Sequence, residues 1–132
     1  MNEIDFPNVI EKFDKILERG LCKGVGSPDG QMCIEAAITQ ALGLPFNDNP
    51  ECVAPAVRAY KIRLNDAYGW ASPASRAVAL RSIGIAQIGS KGVVDDVEFA
   101  KRIAEKTKWA SEKTSAAYKA WKSGRIAAKE SR

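Results

Sequence analysis

The chain has 132 residues, 45% of them hydrophobic and 27% charged, with a formal net charge of +4. That is the make-up of one globular domain and excludes a disordered or fibrous chain. No stretch approaches the roughly 20 apolar residues of a spanning helix, and the acidic start Met1-Asn2-Glu3-Ile4-Asp5 lacks the apolar run of a secretory signal. Three cysteines without an export signal point to free thiols in a reducing cytoplasm.

In chain order, Phe6, Val9, Ile10, Phe13, Ile16 and Leu17 recur at helical spacing. They predict a first helix from about Pro7 to Arg19, stopped by Gly20. Gly24-Val25-Gly26-Ser27-Pro28-Asp29-Gly30 reads as a loop, with Ser27-Pro28 as a cap and first-turn proline for the next helix. Lys23 beside these glycines makes the loop a candidate anion site, against the simpler reading as a tight turn, because no strand or Walker spacing accompanies it.

The central helix, to about Leu42, is apolar except for Gln31, Glu35 and Thr39, which are four apart and fall on one strip. Glu35 is expected to look out through a gap in the packing and to pair with Arg58, Lys61, Arg63, Arg76 or Arg81. A third helix opens at Pro55 with Val57, Tyr60, Leu64 and Ala67 facing the core and Arg58, Lys61, Ile62 and Asn65 on another side. Ser72-Pro73 starts a fourth, with Ala77, Val78, Ile85 and Ile88 inward and an end near Gly89, although the short apolar run Ile83-Gly84-Ile85 also fits a strand. Asp95 and Glu98 form a capping box before a fifth and longest helix, apolar at Phe99, Ala100, Ile103 and Ala104 and thinning towards Gly124. Arg125 to Arg132 is expected to fray. The expected fold is all-α: a bundle of about five helices, with a compact body over 1–92 and a long basic C-terminal helix over 93–123.

The segments Gly30-Gln31-Met32-Cys33-Ile34-Glu35-Ala36-Ala37, Pro50-Glu51-Cys52-Val53-Ala54-Pro55-Ala56-Val57-Arg58, Lys61-Ile62-Arg63-Leu64-Asn65-Asp66 and Ile85-Ala86-Gln87-Ile88-Gly89-Ser90 resemble a group of uncharacterised small bacterial and phage proteins. The resemblance covers about half the chain and implies no activity.

Charge is unevenly spread. From Phe99 onward there are ten Lys and Arg against three Glu, which leaves ten basic and thirteen acidic residues before it. With no histidine, Ser-His and Cys-His nucleophile pairs and histidine metal sites are excluded. The cysteines lack C-x-x-C spacing, so no metal and no cofactor is expected. Cys33, near a helix start, is the thiol whose pKa a helix end can lower, although a buried structural cysteine is the plainer reading. A hydrolase centred on Glu35 and Cys33 is the third reading, with Asn65 or Asp66 orienting water and Arg58 or Arg63 holding an anion, although no base or leaving-group acid is identified for Cys33.

Two binding readings remain. Trp109, Tyr118 and Trp121 with Lys113, on a basic helix, fit a protein partner or self-association, such as a phage-type inhibitor or adaptor of a cellular machine. Alternatively the basic residues bind nucleic acid. Lys108, Lys119 and Lys122 would contact phosphates, Lys23, Arg58, Lys61 and Arg63 are further anion candidates, and Ser72, Ser75 and Arg76 would lead a helix-turn-helix recognition helix. No membrane is expected as a partner.

Overall fold

The computed structural model describes residues 3–67 and 69–130, with the backbone alone for 125–130. The fold is all-α, with five helices and no sheet among the described residues: α1 Phe6–Leu17, α2 Ile34–Ala41, α3 Pro55–Asp66, α4 Pro73–Ala86 and α5 Asp96–Glu130. No helix is long and apolar enough to cross a membrane. The chain forms two units, Met1–Asp96 and Val97–Arg132.

In the first unit α2 packs on α1, α3 and α4, and α1 packs on α4. Helix α1 follows from its pattern. Asp5 accepts a hydrogen bond from the Asn8 amide as N-cap, proline occupies the first turn, and Val9, Phe13, Ile16 and Leu17 are buried along one face. Burying side chains of this kind contributes roughly 1.5–3 kcal/mol each. The ring of Phe13 reaches α4 because position 84 is glycine: a Cβ there would lie 2.8 Å from Phe13 Cζ and 2.9 Å from Ile34 Cδ1.

Three sequence expectations are corrected. Ser27-Pro28 does not start α2. The loop instead closes a turn from the Ser27 amide to the Gln31 carbonyl, and the cap is Cys33, whose Sγ accepts from the Ala36 amide at 3.4 Å. Gly26 holds the loop against Met32: its φ is +78° and a Cβ would stand 2.6 Å from Met32 Cα. On α3 the buried residues are Val57, Lys61 and Asn65, while Ala67 is exposed. The inward face is thus turned by about a quarter of a revolution from the apolar stripe. On α4 and just beyond it, Ala77 and Ile88 are buried as expected, but Val78 is 80% exposed, and Leu80 and Gly84 face inward in its place.

The second unit is the helix α5. Gly124 does not end it, and it continues to Glu130; residues 131–132 of the expected frayed tail lie outside the described residues. Glu98 pairs with Arg102 at 3.0 Å across one turn, and the Thr107 hydroxyl donates to the Ile103 carbonyl at 2.8 Å. The ion pair supports the helix by a few tenths of a kcal/mol, while the threonine back-bond only satisfies its own hydroxyl.

Candidate functional site

The glycine loop is a locked turn. Asp66, at the end of α3, accepts from the Gly24 amide at 3.0 Å, so a carboxylate of the chain itself occupies the amide that an anion would use. Asn65 accepts from the Ile34 amide at 2.9 Å and donates to the Cys22 carbonyl and to Asp66 at 2.8 and 2.9 Å. One amide side chain thereby ties the start of α2, the loop and α3 together. Arg76 donates to the Leu21 carbonyl at 3.2 Å, Ser72 is the N-cap of α4, and Ser75 bonds to Ser72. The three residues that would lead a recognition helix are thus engaged within the chain.

The chemically unusual place is inside the body. Glu35 does not look out: it is fully buried and stands beside Lys61, equally buried, with Oε1 and Nζ 3.8 Å apart. That is an ion pair but is too long for a charge-assisted hydrogen bond, which closes to about 2.7–2.9 Å. Gln87, 3% exposed, completes the cluster from the end of α4. Neither carboxylate oxygen of Glu35, nor Lys61 Nζ, nor either polar atom of the Gln87 amide has a hydrogen-bond partner among the described residues.

Burial pushes the Glu35 carboxyl up to about 7, against the pull of Lys61 and, more weakly, of Gln87 and Arg58. Burial likewise brings the Lys61 ammonium down to about 8, against the pull of Glu35. Both shifts have one cause, the cost of a charge removed from water, which a single counter-charge offsets only in part.

Of the other cations considered for Glu35, Arg58 pairs with Asp48 at 3.0 Å and Arg81 with Asp14 at 2.7 Å, while Arg63 is exposed on α3. Lys23 is exposed on its loop. Lys61 is therefore held inside the body and Arg58, half-buried, is tied to Asp48, so of the anion candidates Lys23, Arg58, Lys61 and Arg63 only the first and last are exposed. The Cys33 thiol, which a helix start was expected to acidify, is pushed up to about 11 because burial outweighs the amides around it. Cys22 is also raised, chiefly by burial. Among the described residues no group of three or more Cys, Asp or Glu is arranged to hold a metal ion.

On α5, Trp109, Tyr118 and Trp121 are 61%, 58% and 56% exposed. They do not form one surface. Tyr118 and Trp121 pack together with ring centroids 5.9 Å apart, and Lys113 lies 5.9 Å from the Trp109 centroid. At 3.6 residues per turn, Ile103, Thr107, Ala110, Thr114, Ala117, Tyr118 and Trp121 share one stripe. Lys108, Lys119 and Lys122 project on the far side of the same helix, and Trp109 with Lys113 on a third sector. No family model, curated protein or solved structure matches the chain.

What the residue pattern hid was the polar interior. The pairing of Glu35 with a cation was legible from its strip of four-residue spacing. The parts of Gln87, Asn65 and Asp66 were not, since nothing local separates a buried amide or carboxylate from a solvated one.

Proposed function

We propose that this chain is a non-enzymatic binding protein that engages a partner protein through the stripe of α5 ending in Tyr118 and Trp121. What supports the reading is the exposure of two packed aromatic rings at the end of a stripe of small residues. Aromatic anchors in a charged rim are the usual source of binding energy at protein interfaces. Lys108, Lys119 and Lys122 stand away from the stripe, which suits a helix laid stripe-down on a protein groove with those charges in water. Lys108, Lys119 and Lys122 lie off the path of Tyr118 and Trp121, which counts against nucleic acid on that stripe, whereas Lys113 over Trp109 is the pairing of ring and cation that a single-strand site would use.

An enzyme is the least supported reading. The carboxylate and the thiol that would carry the chemistry are buried, and the thiol is raised well above neutral.

The test places a photo-crosslinking residue at position 114, within the stripe, or at position 108, on the lysine sector. A protein adduct is expected from 114 and not from 108, lost on Tyr118→Ala with Trp121→Ala and kept on neutralising Lys108, Lys119 and Lys122. Residues 1–107 alone should melt cooperatively. A nuclease-sensitive adduct from 108 whose yield falls steeply with salt would replace the protein partner by nucleic acid.

A further inference from the structure

Helix α3 is attached to the body differently from its neighbours. The buried apolar cluster draws on α1, α2 and α4 and on the residues that flank them, and from α3 only the partly buried Leu64 packs against it. Its other attachments are mostly polar. Arg58 reaches Asp48, Lys61 faces Glu35, Asn65 bonds to Ile34 and Cys22, Asp66 holds the Gly24 amide, and the Ala56 amide donates to Asp96 at 2.8 Å. Segments with few buried apolar contacts open at lower free energy than the core.

We propose that α3, with the glycine loop it clamps, is a proton-controlled latch: it detaches from α1, α2 and α4 as a unit, and the charge state of Glu35 and Lys61 sets how often. The charged and titratable groups around the pair are Cys33 on α2, Arg58 on α3 and Asp48 in the connector, and α4 contributes the neutral amide of Gln87. Cys33 stays a neutral thiol throughout the neutral range, since burial holds it at about 11.

The sign follows from which state holds the proton. Docked, Glu35 keeps its proton up to about 7, whereas undocked and solvated it releases it near its ordinary value of 4.5. Its contribution to docking is therefore complete below that ordinary value and is lost as pH rises through about 7. Docked Lys61 gives up its proton near 8 instead of 10.5, so its contribution is complete above 10.5 and is lost as pH falls through about 8. Between the two, where both groups carry charge without hydrogen-bond partners, the latch is weakest. Mild acid tightens it.

Amide hydrogen exchange on the full chain, corrected for intrinsic rates, reads this directly. Between about pH 7.5 and pH 5.5, protection of the α3 amides and of residues 22–26 should rise, by at most about tenfold per pH unit for one proton, while Phe13 and Leu80 at the core keep theirs. In the Glu35→Gln, Lys61→Met double variant the rise should vanish. Protection in α3 that falls or stays level on acidification, or core amides that follow it in step, would overturn the latch. Should the double variant fail to fold, the unmodified chain's pH series still decides.

Discussion

Helices α2 and α5 invert the usual relation between length and security. Helix α2 has eight residues, seven of them buried, and is far too short to persist alone, since isolated helices below about 12–15 residues are marginal in water. Its neighbours hold it. Helix α5 has 35 residues, is exposed from Ala104 through Gly124, and draws on alanine, lysine and glutamate propensity and on pairs such as Glu98 with Arg102. What burial does for the short helix, length and composition do for the long one. A substitution on the exposed stretch of α5 therefore changes what it binds more than whether it folds, and one on α2 or its contacts does the reverse.

The largest expected break in that comparison lies at Lys61. Lys61→Ala removes the cation that pulls the Glu35 carboxyl down, leaves that group buried and neutral without a hydrogen-bond partner beside a cavity, and should cost about 2–5 kcal/mol, read by urea denaturation at neutral pH. The Glu35→Gln, Lys61→Met pair should be nearly neutral or more stable than the natural chain, because it removes both desolvation costs together. A double variant as unstable as the single would mean that the ion pair is a net source of stability.

Next comes the apolar counterpart. Gly84→Val pushes new methyls towards Phe13 and Ile34 at sub-van-der-Waals range and should cost about 1–3 kcal/mol in the same measurement. A Phe13→Leu change made with it should recover part of the loss.

The smallest effect belongs to the surface. Arg81 holds the Asp14 carboxyl below its ordinary value through a hydrogen bond and, more weakly, its charge. The contribution is present above the unfolded value of 3.8 and lost as pH falls through the folded one. Asp14→Asn should thus change the melting temperature slightly at neutral pH and not at all in strong acid, since exposed pairs are worth little.

How far the residues alone reached is clearest from two helices of the body. Helix α1 was legible almost to its ends, because Val9, Phe13, Ile16 and Leu17 fill its buried face and the period of the apolar residues is the period of burial. The same rule misplaced the face of α3. Lys61 and Asn65 occupy its inside since Glu35 and the Ile34 amide stand opposite them, and a pairing 26 or 31 positions away leaves no mark on local periodicity. Cys33 as an N-cap was hidden for a similar reason: the cap follows from where the Gly26 turn lays the chain against Met32.

By itself, then, the sequence determined an all-α chain of five helices and the concentration of basic charge on the last of them, since periodicity, capping residues and charge are local properties. The tertiary structure alone decided which polar groups are buried, how they pair, and that Asp66 fills the glycine loop. Burial and pairing depend on the residue that stands opposite, and only the packed chain supplies that residue.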